Sequence, residues 1–360
     1  MTNKKRDIIL SVVFAAVIVA LLVYIDKEQH YSMLASVIQK ASIYALLAVS
    51  LNLLNGFTGL FSLGQAGFMM LGAYTYAILT IPLEQHASVY QYFTGGIVNV
   101  CLPAFVGVIA AGLVAVVFAW LVGKPCLRLK SDYLAIATLG FAEILRALIQ
   151  WDVLGPVTNA SNILKKFPKF DSILTPVIIS AFCIFLIVLL INSSYGRAFK
   201  AIREEEIAAE ARGINLAKTK MQAFLTSSFF AGIGGALLAM FQASVQARSF
   251  TSAMTYEILL IVVIGGIGSV TGSIIGSFLY IAASEWWLRF LDDSQTYLGV
   301  NIPFMRGGFR MVVFSVVIML VVLFYRQGIM GTKEFSWQGI INFFKRIFKK
   351  NKGKAVQDNG

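Results

Sequence analysis

From Ala41 to Leu83 the chain carries no charged residue. At about 1.5 Å of rise per helical residue, this run is long enough to cross a hydrocarbon core of roughly 30 Å twice. Its one interruption is the stretch Gly56 to Gly59, so two crossings joined at a glycine break are predicted. The rest of the chain agrees. Of its 360 residues 58% are apolar and only 13% charged, against about 25% charged in a soluble domain. Much of the outer surface must therefore meet lipid instead of water.

Further uncharged runs lie at 8–25, 96–122, 173–192, 221–241 and 311–325, and a span at 133–151 carries Glu143 and Arg146. The first run follows Lys4, Lys5 and Arg6 as a signal peptide would. It exceeds the usual apolar region of such a peptide and no A-x-A-like site follows, so it reads as a retained helix with its N-terminus inside. Residues 258–284 are too long for one untilted crossing and too short for two full ones. Both the basic segment 193–220 and the basic tail after Tyr325 should lie inside. That parity requires 258–284 to go in and return as two short helices hinged near Gly265 to Ser269. Backbone broken at membrane depth survives only where protein buries it or it lines a cavity. The expected fold is thus an all-α polytopic helical bundle of about ten spans with short Gly-broken helices and both termini cytoplasmic.

The two breaks, GFTGLFSLGQAGFMMLGAY (56–74) and GGIGSVTGSIIGSFLY (265–280), resemble each other faintly. Either the chain contains an internal duplication, as transporters often do, or small residues recur for close helix packing.

Chemistry is sparse. Cys101, Cys126 and Cys183 form no CxxC pair or disulfide framework and read as buried small hydrophobes. His30 and His86 lack partners at metal-ligand spacing, so no metal site is assigned. No G-x-x-x-x-G-K-[ST] loop is present to hold a nucleotide. No catalytic residue and no cofactor is expected, and the chain does not read as an enzyme. The net charge of +12 sits at the ends of apolar runs, in Lys4 to Arg6 and from Lys333 to Lys354. That is a positive-inside pattern and not a nucleic-acid surface.

The segment GRAFKAIREEEIAAEARGINLAKTK (196–220) is rich in helix formers and lies between two spans. It is too short to fold alone, and is either a solvated loop or a surface that docks on a partner. Its Ala208-Ala209-x-x-x-Gly213 spacing resembles the "EAA" signature of ABC-importer permeases, with Ile207 where Glu is expected and no I-x-L-P element downstream. Residues 50–78 (SLNLLNGFTGLFSLGQAGFMMLGAYTYAI) resemble the first block of the branched-chain amino acid ABC permeases. GRAFKAIREEEIAAEARGIN resembles their cytoplasmic loop, and residues 250–279 (FTSAMTYEILLIVVIGGIGSVTGSIIGSFL) their last block. Order and spacing resemble the larger, M-type subunit over most of 35–330.

The resemblance implies a heterodimer with a related H-type permease, two cytoplasmic ABC ATPase subunits and an extracytoplasmic solute-binding protein, in a bacterial plasma membrane. The coupling residues it implies are Gly196, Arg197, Lys200, Arg203, Glu206, Ala208, Ala209 and Gly213. A short helix over 197–213, with Gly196 and Gly213 as hinge or cap positions, is expected to carry motion from the ATPase.

Asn55, Thr58, Ser62, Gln65, Gly265 and Gly268 either line a solute path or pack helices tightly. Glu143 and Arg146, three apart on one helix face, either flank that path or pair to hold the bundle. Lys40 and Glu257 sit near predicted outer ends and can snorkel. Outer loops at 152–172 (Asp152, Lys165, Lys166, Lys169, Asp171) and 285–308 (Glu285, Arg289, Asp292, Asp293, Arg306) offer charges to a binding protein or are merely solvated. In the tail, Trp337, Ile340, Ile341, Phe344, Ile347 and Phe348 form one helical stripe opposite Lys345, Arg346, Lys349 and Lys350. That is an amphipathic helix for membrane lipids or for the ATPase. A permease domain at 1–330 with coupling loop 196–220, followed by a basic cytoplasmic tail at 331–360, is the expected organisation. The solute is read as a branched-chain amino acid. Urea, a short amide or another amino acid on the same architecture is an alternative, as is an ion-coupled secondary transporter using Glu143.

Overall fold

The computed structural model describes residues 19–27, 32–93, 97–98, 100–129, 131–170 and 172–287, with isolated positions at 17 and between 313 and 334. The expected span at 311–325, most of the run at 8–25, Asp171, Arg289, Asp292, Asp293, Arg306 and the amphipathic tail stripe lie outside these residues or are only touched by them.

The described chain is helical, with one isolated antiparallel bridge, Leu164 to Val245, among its loops. Helix α1 (Ser32–Asn52) runs into a π-helical turn, Leu53–Phe57, and an open stretch to Gly64 before α2 (Gln65–Thr80). Then come α3 (Ala104–Cys126), α4 (Ser131–Gln150) and α5 (Leu174–Asn192). The short pair α6 (Ser194–Glu204) and α7 (Glu206–Ala211) leads to the long α8 (Leu216–Gln242). Last are α9 (Ser252–Gly265) and α10 (Val270–Ala282).

Among the described residues five helices are long and apolar enough to cross a membrane, or up to seven if each of two bent pairs is one span. The pair at 252–287 bends by 119°, with its break at 266–269, so the two short helices hinge where parity required. The charge-free run likewise divides at Gly56–Gly59. The run at 96–122 begins as a helix only at Ala104, because Pro103 at the N-cap disfavours helical geometry in the residue before it.

Helices α1, α2 and α8 form the centre, and 13 of the 16 residues of α2 are buried. Buried residues make up 67% of the apolar window of α1 and 78% of that of α8, against 28% for α4 and for α5. Lipid tails are as apolar as leucine, so helices in a bilayer associate through close packing and internal hydrogen bonds. Both devices operate here. A Cβ on Gly72 of α2 would overlap the backbone of Gly232 on α8, and one on Gly235 would strike the Met69 carbonyl. Where α1, α2 and α8 meet, Gln65 Nε2 donates to Ser50 Oγ at 2.8 Å and Ser227 Oγ to the Ser50 carbonyl at 2.7 Å. The Ala66 amide, one of the free N–H groups opening α2, donates to Thr255 Oγ1 of α9 at 3.0 Å.

At the opposite end of the bundle Lys40 pairs with Glu285, tying α1 to the π turn Ala283–Trp287. These two residues therefore hold elements together, where the sequence suggested a snorkelling lysine and a loop charge. Tyr90 donates to the Val157 carbonyl at 3.0 Å, and burial pushes its phenol up to about 12. Cys126 and Cys183 are buried as expected, but Cys101, on the segment ahead of α3, is exposed.

Candidate functional site

The two glycine breaks, far apart in sequence, meet in space through the side chain of Asn52. Its Nδ2 donates to the Ser269 carbonyl at 2.9 Å and to Ser273 Oγ at 2.8 Å, and its Oδ1 accepts from the Gly268 amide at 2.8 Å. Asn52 is fully buried, and so is Ser273. Such a buried network is costly unless every member is satisfied, and here the amide uses both ends. The backbones touch as well: a Cβ on Gly56 would lie 2.6 Å from the Gly268 nitrogen. Gly268 itself has φ +88 and Gly266 φ +123, conformations that side chains with a Cβ avoid. The π turn at Leu53–Phe57 re-aims the chain at this point, as π bulges often do at functional positions.

Helix α6 lies against this junction. Ser193 caps its first turn by accepting from the Tyr195 amide. Gly196, Phe199 and Ile202, at helical spacing, turn inward. Gly196 sits so close to Ile191 that a Cβ would overlap the Ile191 carbonyl, so this glycine permits the tight α5–α6 corner. At the far end Arg203 Nη1 donates to the Gly56 carbonyl at 3.1 Å. The aliphatic stem of Arg203 covers Gly59 (φ +75), and a Cβ on Gly268 would lie 3.1 Å from Nη1. One arginine is thus bonded to the first break and lies beside the second. Lys200 adds a cation–π contact, its Nζ 5.6 Å from the Phe57 ring centroid.

The expected single helix over 197–213 is two helices. Glu205, at φ -162 and ψ 112, breaks it into α6 and α7. Glu206 then opens α7, where a negative charge at a helix N-terminus is favoured. Glu204 pairs back with Arg203, while Glu206 pairs with Lys220 of α8 at 2.7 Å. Gly213 (φ +83) closes α7 in the left-handed conformation, with Ile214 N donating to the Ala209 carbonyl at 3.2 Å. Ala209 is buried beneath α7, Ala208 is exposed, and Ile207 is 76% exposed. Arg197 also faces outward, with Nη2 on Ser194 Oγ at 2.8 Å.

The structure distributes the remaining sequence candidates unevenly. Thr58 Oγ1 donates to the Leu53 carbonyl, Ser62 Oγ accepts from the Gly64 amide, and Gln65 belongs to the central network, so all three are bound internally. Asn55 accepts from the Ser62 amide, but its buried Nδ2 has no partner among the described residues. Glu143 and Arg146 form the expected pair one turn apart on α4, with Nε to Oε2 at 2.8 Å. Gly265 packs on the backbone of Gly272, closing the α9–α10 hairpin.

Two contributors were not anticipated. Asn52 lay unremarked beside Asn55, although a buried asparagine in a charge-free run is itself a signal of an interhelical bond. The second is Glu334, whose carboxylate accepts from the Val270 amide at 2.8 Å, the Thr271 amide at 3.1 Å and Thr271 Oγ1 at 2.6 Å. It caps the N-terminus of α10, where a negative charge is favoured. Upstream, the Ile329 and Met330 amides donate to the terminal carbonyls of α9, Ile264 and Gly265. Residues 328–331 and Glu334 are thus fastened across the second break.

Comparison with known proteins gives a consistent picture. The sequence profile of the family described as "Branched-chain amino acid transport system / permease component" matches residues 33–324. The high-affinity branched-chain amino acid transport system permease protein LivM of Escherichia coli is 34% identical over 289 residues, 71% of this chain and 64% of that protein. The probable LivM of Methanocaldococcus jannaschii is 24% identical, covering 81% of this chain and 91% of its own. The permease protein LivH of Salmonella typhimurium is 24% identical over 81% of this chain and 92% of its own. No solved structure matches.

Proposed function

Because the chain belongs to the branched-chain amino acid transport permease family, we propose that it is the membrane-spanning subunit of an ABC importer that carries leucine, isoleucine or valine inward. In this reading the chain performs no chemistry. ATP is hydrolysed on two partner ATPase subunits, a related H-type permease completes the pathway, and an extracytoplasmic binding protein delivers the solute. Both termini and α6–α7 lie on the cytoplasmic face of a bacterial plasma membrane, following the positive-inside distribution of Lys and Arg.

The observation that carries the proposal is the position of Arg203, bonded to the first glycine break and beside the second. Motion at an ATPase surface must enter the membrane through a rigid element. Helix α7 offers an apolar tip, Ile207, suited to a groove on a partner, and its salt bridge to Lys220 ties it to α8. Displacing α7 pulls on α6, and α6 ends on Gly56 and Gly59. Asn52 passes the displacement on to Gly266–Ser269. Two short helices pivoting on glycines need less reorganisation than two continuous spans, and the half-helix arrangement suits alternating access. Asn55, with a donor to spare, is the best placed of the polar candidates to meet the solute. Glu143 and Arg146 neutralise each other on α4, which favours a supporting role for the pair over a proton or cation site.

Co-purification and uptake test this reading together. The tagged chain should bring down ATPase subunits, and deletion of 197–213 should abolish their recovery. Proteoliposomes holding the purified complex and its binding protein should accumulate labelled leucine, and not urea, when ATP is supplied inside. Uptake that follows a proton gradient without ATP, with no nucleotide-binding subunit recovered, overturns the proposal.

A further inference from the structure

Beyond the transport pathway, we propose that the cleft between α5 and α10 is a binding site for an anionic phospholipid, with the headgroup phosphate at Lys200 and an acyl chain along the apolar wall. Both helices pack on α1, and between them opens a cleft of about 660 Å³ with Phe57 in its lining. Ile184 and Val188 of α5 and Ile274 of α10 supply the wall. Beside them Phe185, Leu189 and Ile275 are exposed large hydrophobics, so the wall is continuous with surface that faces lipid. An acyl chain can enter it directly from the bilayer, whereas a water-soluble phosphate has nothing to gain there.

The polar end of the cleft is closed by α6. Lys200 and Arg203 both line it, as does the carboxylate of Glu334. Arg203 is already engaged with Gly56 and Glu204. The Glu334 oxygens are held by the Val270 and Thr271 amides and the Thr271 hydroxyl, which offsets their charge. Lys200 has no carboxylate partner among the described residues; its contact is the Phe57 ring. It is the cation left over, on a flexible stem, at the depth where an apolar groove ends. That pairing of an interfacial lysine with a hydrocarbon slot matches a phospholipid of net negative charge better than a zwitterionic one.

The complex as it purifies from membranes provides the test. It is incubated with phosphatidylglycerol or phosphatidylcholine in detergent and the retained lipid counted by native mass spectrometry. Wild type should retain phosphatidylglycerol in preference. Lys200→Gln should lower that preference about fivefold, and Val188→Trp, which fills the slot, should lower retention of both lipids. Phosphatidylglycerol with a photoreactive acyl chain should label wild-type peptides containing 184–188 and 274, a readout that needs no variant to fold. Equal retention of the two lipids by wild type, labelling confined to other helices, or protection of these peptides by a co-purifying protein subunit would each overturn the proposal.

Discussion

Asn52 shows how much one side chain can decide at membrane depth. From the end of α1 its amide serves one donor and two acceptors of the second break and the helix that follows it. Asn52→Leu keeps the branched shape but leaves the Gly268 amide without its acceptor, whereas the Ser269 carbonyl keeps the Ser273 amide and hydroxyl. A buried unsatisfied group costs about 1–3 kcal/mol. The expected outcome is a clear fall in melting temperature of the purified complex together with loss of ATP-driven uptake. The glycines divide sharply. Gly56→Ala would press a methyl against the Gly268 nitrogen, and overpacking of this kind costs about 1–3 kcal/mol. Gly140→Ala on α4 meets nothing within 4 Å, and the gain in helix propensity should stabilise by about 0.5–1 kcal/mol. A thermal-shift comparison of the two variants reads both signs in one experiment.

At the scale of the element, α6 and α7 divide their work. Helix α6 is fastened inward through Gly196, Phe199, Ile202 and Arg203, while α7 presents Ile207 outward. Ile207→Asp should leave stability within about 0.5 kcal/mol of wild type, as exposed substitutions do. It should still cut recovery of ATPase subunits in a pulldown severalfold. Arg203→Lys keeps the charge and loses the planar fork that reaches Gly56. The expected signature is uncoupling: ATP hydrolysis persists in proteoliposomes while leucine uptake falls about tenfold or more. Sequence spacing located this hairpin and its terminal Gly213, yet it suggested one helix. The corner at Glu205 depends on Glu204 and Glu206 finding partners on different helices, and periodicity does not contain that information.

At the scale of the molecule, residues 328–331 and Glu334 close the α9–α10 hairpin, with two amides on α9 and the Glu334 carboxylate on α10. A chain ending at residue 327 loses all of these bonds. Hydrogen exchange at the amides of 264–273 should then rise well above that in α2 and α8, which keep their partners. Unchanged protection at 264–273 would show that the hairpin holds itself.

What the amino-acid sequence determined by itself was the solvent and the partition. A run without charge from Ala41 to Leu83 belongs in lipid and protein interior, the close-set Gly56 and Gly59 interrupt it, and the length of 258–284 called for a bend within it. These are local properties, carried by composition and spacing. The tertiary structure decided which breaks touch and through what. Asn52 and Gly268, or Glu334 and Val270, are joined by contacts between segments with no shared periodicity. Such pairing is selected only when whole helices pack and each buried polar group must find a partner. For the same reason Thr58, Ser62 and Gln65, alike in sequence to path-lining residues, are turned into internal bonds, and the asparagine that carries the junction is the one beside them.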